Sequence, residues 1–113
     1  MKYALFVYDA PSSWHGVPVE ERHAAHGEYH ALAKSPGVIG HYRFRPPEAI
    51  TTVRVEEGLV VTSPGPLVDT GERALRALYL LETDDHDAVL ELAARAPAAR
   101  MGGAVEVRPL VAR

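Results

Sequence analysis

Six consecutive residues, Tyr3-Ala-Leu-Phe-Val-Tyr8, limit what this chain can become more than any other stretch. They are aromatic, aliphatic and β-prone, and no polar residue alternates with them. The strand they predict must therefore be covered on both faces, which places it in the middle of a sheet. The remaining residues have to supply neighbours on either side and a covering layer. A chain of 113 residues has room for one domain, residues 1–113, with a single modest core. The run is too short to cross a bilayer or to be the apolar region of a signal peptide, and Asp9 and Pro11 follow at once.

Beyond it, Asp9 to Gly16 carries turn residues and predicts a loop. Trp14 within that loop either packs over the domain or closes a cleft; the large area a tryptophan buries favours packing. Residues 17–34 predict a helix, with Pro18 in its first turn and Glu20 and Glu21 suiting its N-terminal dipole. Ala25, Tyr29 and Leu32 fall on one core-facing stripe. Ser35-Pro36-Gly37 stops the helix. Residues 38–45 alternate, with Val38, Gly40, Tyr42 and Phe44 on one face of a strand and Ile39, His41, Arg43 and Arg45 on the other. Thr51–Val55 and Leu59–Thr62 are β-branched runs joined by Glu56-Glu57-Gly58, and predict a hairpin.

Val61–Glu72 is stiffened by two prolines around Gly65 and offers Thr62, Ser63, Asp69, Thr70 and Glu72 as polar groups. After it, helical propensity over residues 74–78 competes with a buried strand, which we place from about Ala77 to Glu82. Thr83-Asp84-Asp85 supplies an N-cap, Ala88, Val89, Leu92, Ala93 and Ala96 form the apolar stripe of a second helix, and Pro97 closes it. Gly102-Gly103 turns the chain into a last strand over Ala104–Arg108. The order β-α-β, hairpin, β-α-β predicts an α+β, ferredoxin-like split βαβ fold with an inserted hairpin and both helices on one face of a mostly antiparallel sheet. The opposite face then needs a cover. Ile39 and Tyr3 or Phe6 are candidates for it, and a homodimer packed sheet to sheet completes the fold.

Net charge is −3 with a pI near 6.0, so the basic footprint of a nucleic-acid binder is missing. With no cysteine, disulfide frameworks and thiolate metal sites are excluded, and the composition suits a soluble protein of the reducing cytoplasm. The two short helices lack the continuous apolar face of a membrane binder. There is no phosphate-cradling glycine loop, no dinucleotide fingerprint and no arguable Ser-His-Asp spacing, so no cofactor is expected.

Three sets of residues carry chemistry. His23, His26 and His30 share one arc of the first helix, with His26 on the flank of the core stripe and the others nearer solvent. His26 suits general acid/base work near neutral pH, and two or three of these imidazoles suit a metal, although no HExxH pattern is present. The plain alternative is a partly exposed, histidine-rich helix face. His41, Arg43 and Arg45, with Thr52 and Arg54 beside them on a paired strand, would form an electropositive wall for a carboxylate or phenolate, or else a solvent-facing rim. Asp69, Thr70 and Glu72 would orient a histidine or hold a substrate hydroxyl, or else cap turns.

In order along the chain, Met1–Tyr8, His26-Gly-Glu-Tyr-His30, Thr52–Gly58, Val61-Thr62 leading to Gly65-Pro66, Tyr79–Glu82 and Ala99-Arg100 with Val105–Pro109 resemble the YCII-related, DGPF-type domains. The resemblance covers almost the whole chain and implies a ferredoxin-like domain that pairs into a dimeric α+β barrel with a cleft near the first helix. Where the family signature reads Asp-Gly-Pro-Phe, this chain has Pro64-Gly65-Pro66-Leu67, with Ser63 near the place of the aspartate and Asp69 as the acid that follows. His26 matches the family's helix histidine, and the position of its aspartate partner falls near Ser35, so the implied dyad is incomplete. Three functions follow as expectations. One is a cofactor-independent lyase or isomerase acting on a small anionic molecule, with His26 and Asp69 catalytic and His41, Arg43, Arg54, Ser63 and Thr70 binding substrate. Another is a non-catalytic ligand-binding or accessory domain linked to transcription control, which the resemblance allows. The third is a metal-binding domain on His23, His26 and His30.

Overall fold

The computed structural model describes residues 1–112, apart from the side chains of Pro11 and Ser13. Its elements are β1 (Lys2–Asp9), α1 (Val19–Ala33), β2 (Val38–Arg43), β3 (Thr51–Glu56), β4 (Leu59–Pro64), β5 (Ala74–Glu82), α2 (His86–Ala94), α3 (Pro97–Arg100) and β6 (Ala104–Pro109). A four-stranded antiparallel sheet runs in the order β2-β5-β1-β6, and β3 and β4 form a separate hairpin. With the hairpin set aside, this is the strand order of a ferredoxin-like α+β fold. As the unbroken apolar run predicts, β1 lies between two strands. Tyr3, Leu5 and Val7 face the helices and are buried.

The core is a layer between that face and the helices. Leu5, Val7, Tyr79 and Leu81 of the sheet meet Leu32 of α1 and Val89, Leu92 and Ala93 of α2. The predicted stripe of α1 holds, with Ala25 and Leu32 buried and Tyr29 packed against the core. Pro18 precedes the helix as its N-cap instead of sitting inside the first turn. Asp85 caps α2 by accepting the Ala88 N–H at 3.1 Å. Pro97 does not simply close a helix: it opens the extra turn α3, where its missing N–H and fixed φ suit the first helical position. The Gly102-Gly103 turn lies so close to β1 that a Cβ on Gly103 would collide with the Tyr8 carbonyl oxygen and sit 3.0 Å from that of Ala98.

Two bulges correct the simple alternation. In β2 the pairs are Val38↔Leu81 and Gly40↔Leu80, so Ile39 is an extra residue. The bulge puts Val38, His41 and Arg43 on the helix side of the sheet, opposite Leu81, Tyr79 and Ala77, and turns Gly40 and Tyr42 to the open side. Strict period two predicts the reverse for His41 and Arg43. In β5, Arg76 is the extra residue opposite Val7 and Tyr8, and the strand begins at Ala74, earlier than expected. Tyr3 is on the covered side, so the open face belongs to Phe6, Leu78, Leu80 and Tyr42, with exposed Ile39 and Phe44 nearby.

The hairpin turns through Glu57 (φ 50°) and Gly58 (φ 80°), a two-residue loop with both residues left-handed. It does not pair with β2, so Thr52 and Arg54 are not beside His41 and Arg43 as expected. The hairpin stands off the body as an arm. The radius of gyration is 16.1 Å, against about 13 Å for a compact domain of this length. Among the described residues no helix is long and apolar enough to cross a membrane.

Candidate functional site

A cleft of about 820 Å³ opens between α1 and the end of the sheet from which the arm springs. That size is usual for a small-molecule site. Arg22, His26, Tyr29 and His30 reach it from α1, and Asp9, His41, Arg43, Arg76 and Tyr79 from the sheet. The two bulges explain why charged side chains of neighbouring strands enter on the helix side: one re-aims His41 and Arg43, and the other inserts Arg76.

Trp14, in a short 3₁₀ turn over Pro11–Trp14, forms one wall. Of the two readings for this residue, the cleft-lining one applies. Its Nε1–H lies 2.9 and 3.0 Å from the two Asp9 carboxylate oxygens, and the Ala10 N–H donates to Asp9 Oδ1 at 3.0 Å. Arg22 Nη2 donates to the Trp14 carbonyl oxygen at 2.9 Å and ties the turn to α1. Part of the lining is aromatic, with the His41 ring stacked on Tyr79 at a centroid distance of 6.0 Å.

Charge distinguishes the cleft from the rest of the molecule. Three guanidinium groups, of Arg22, Arg43 and Arg76, and three imidazoles line it against the single carboxylate of Asp9. The whole chain, by contrast, carries a net charge of −3. Burial pushes the Tyr29 hydroxyl up to about 12, helped by the nearby Asp9 charge and opposed by the bond it accepts from the Ala98 N–H at 3.0 Å. Burial also raises the Tyr79 hydroxyl, while Arg43 pulls it down. Both phenols are therefore neutral at physiological pH, available as hydrogen-bond groups and not as bases.

Of the residues singled out in the sequence, His26, His30, His41 and Arg43 come together here. The others lie elsewhere. His23 is exposed on α1 outside the cleft lining, and Arg54 pairs with Glu56 at 3.5 Å on the arm. Ser63 lies on β4. Asp69 accepts the Gly71 N–H at 2.8 Å, and Thr70 donates to the Arg73 carbonyl oxygen, which are local turn contacts. Among the described residues, no group of three or more His, Asp or Glu side chains is arranged to hold a metal ion. Asp9, Arg22 and Arg76 are lining residues that sequence reasoning missed, and for Trp14 the large side-chain area favoured packing over the domain. Asp9 had a usable signal: it follows a buried strand directly, where its side chain continues the face of Leu5 and Val7.

A family model described as YCII-related domain matches residues 1–112, so the chain belongs to that family. No curated protein matches it.

Proposed function

We propose that this member of the YCII-related family binds a small organic anion in the cleft under α1 and uses His26 to move a proton, as a cofactor-independent enzyme of lyase or isomerase type. The observation that carries the reading is the excess of guanidinium groups at a cleft with a partly aromatic lining, in a chain that is acidic overall. The guanidinium groups of Arg43 and Arg76 have no hydrogen-bond or ion-pair partner among the described residues, so their donors are available for a carboxylate. Removal of a proton from a carbon next to that carboxylate leaves an enolate whose charge the guanidiniums offset. Return of the proton to another carbon isomerises the substrate, and departure of a neighbouring leaving group eliminates it. We reassign the carboxylate role from Asp69 to Asp9, because Asp9 lines the cleft and Asp69 is held by its own turn.

Titration of ¹⁵N-labelled protein with benzoate and succinate as probe anions tests the binding. Shifts that centre on His26, His41 and Arg43, and that vanish in the Arg43→Ala/Arg76→Ala double variant, are the expected result. Shifts that map elsewhere, or that persist in the double variant, sink the reading. A specific observation favours a second reading, a ligand-binding domain without catalysis: no hydrogen bond orients the exposed His26 imidazole among the described residues. In that case the probe anions bind, and neither the wild-type chain nor His26→Ala converts any substrate. We further propose that the chain works in the cytoplasm as a homodimer packed sheet to sheet into an α+β barrel. The exposed apolar side chains of Tyr42, Ile39 and Phe44 support that packing.

A further inference from the structure

The arm has two unlike faces. Its register pairs Thr51 with Pro64, Val53 with Thr62 and Val55 with Val60, so these six residues share one face. That face carries no charge, and all six residues are exposed, with Val53, Val55 and Val60 at 60%, 66% and 70%. The opposite face holds the Arg54–Glu56 ion pair and, nearer the base, the half-buried Thr52, Val61 and Ser63. Thr52 also donates from its hydroxyl to the Gly65 carbonyl oxygen at 2.7 Å on that side. A two-stranded hairpin alone in water is at best marginally stable, and one with an exposed valine face is a pairing and aggregation hazard.

The area of the molecule points to what covers it. The accessible surface is 7862 Å² for a chain of 12.3 kDa. A folded monomer of that mass exposes roughly 6,100 Å², so the surplus is about 1,700–1,800 Å². Obligate homodimers bury about 1,000–2,500 Å² on each chain, and the surplus falls within that range. Such interfaces are apolar and poor in charge at their centre, as this face is. Two-fold symmetry also lets one surface be satisfied in both subunits by a single kind of contact.

We infer that the valine face of the β3–β4 arm is a clasp that packs on a second copy of this chain. The inference rests on the homodimer proposed above and adds to it the element that holds the dimer together. Sedimentation equilibrium of the full chain tests it, with Val55→Asp on the valine face and Leu59→Asp on the other face as a matched control. Leu59 is equally exposed, at 69%. The wild-type chain is expected to be a dimer, weakened on the order of 100-fold by Val55→Asp, which buries a charge, and no more than about threefold by Leu59→Asp. Val55→Thr keeps the strand propensity and weakens the dimer by about tenfold, which guards against Val55→Asp failing through misfolding. A wild-type dimer that Val55→Asp and Leu59→Asp affect equally overturns the clasp and leaves the sheet-to-sheet dimer standing. A wild-type monomer at about 100 μM overturns both.

Discussion

The helix-covered side of the sheet and the β3–β4 arm use the same materials to opposite effect. On the body, Leu5, Val7 and Val89 are fully buried, and polar groups beside them have partners, as Tyr29 has in the Ala98 N–H. On the arm, Val53, Val55 and Val60 stand in the open, and the register places all three on a single uncharged face. Both patterns obey the period-two rule of a strand. The difference lies in what faces them: helices cover one side of the sheet, while the valine face of the arm stays exposed among the described residues. An apolar face in a sequence thus announces that something must cover it, without saying whether the cover comes from the same chain.

The widest contrast between the two regions is thermodynamic. Leu5→Ala empties a site with no solvent exposure and is expected to lower stability by about 3 kcal/mol. Val53→Ala, measured by urea unfolding at the lowest workable protein concentration, is expected to change stability by less than about 0.5 kcal/mol. A loss above about 1 kcal/mol for Val53→Ala that does not vary with concentration would mean that the arm packs on its own body, and the contrast would fail.

A second difference concerns pH. The neutral form of Tyr29 is favoured in the folded chain, first by burial and then by Asp9 and Tyr79, and its value rises from 10.0 to about 12. Its contribution is complete below about pH 10, where the unfolded phenol is still protonated, and is lost as pH rises through about 12. Thermal melts should therefore fall in this window. Tyr29→Phe flattens part of that fall and, by leaving the Ala98 N–H unpaired, lowers stability at neutral pH by about 1–2 kcal/mol. The arm strands contain no tyrosine, so Val53→Ala should leave the alkaline profile unchanged. An alkaline profile that is the same in wild type and Tyr29→Phe would remove Tyr29 from this account.

The parts of the fold legible in the sequence are those decided by local pattern. The unbroken run of β1 indicated a central strand, and Glu56-Glu57-Gly58 between β-branched runs indicated the hairpin. The Ala25–Tyr29–Leu32 stripe indicated the buried side of α1. The cleft was less legible, because it depends on two inserted residues. A bulge is a property of a strand pair: Ile39 does not differ in kind from Val38, and Arg76, the one charge in residues 74–81, reads equally well as the exposed side of a helix. Without the bulge at Ile39, His41 and Arg43 fall on the wrong face. Asp9 looked like an ordinary loop residue and Trp14 was open to both packing and cleft closure, since the bond between them forms only once the 3₁₀ turn folds back on the end of β1.

The smallest expected effect separates the two regions by their ion pairs. Arg100 meets Glu28 through two parallel bonds of 2.7 and 2.8 Å and joins α3 to α1 across 72 residues of chain. Its guanidinium is held above its ordinary value by that bond. Arg54 and Glu56 meet through one contact of 3.5 Å, two residues apart on the same strand. Both pairs are exposed, so water and salt screen them, and geometry decides between them. The planar fork of Arg100 donates to both Glu28 carboxylate oxygens with little further loss of freedom, whereas the arm pair orders two long side chains for one loose contact. Double-mutant cycles to alanine should give a coupling of about 0.5–1 kcal/mol for Glu28–Arg100, diminishing with salt, and close to zero for Arg54–Glu56. Equal couplings would show that the body's long-range pair adds nothing beyond the arm's local one, and that the two regions differ in apolar burial alone.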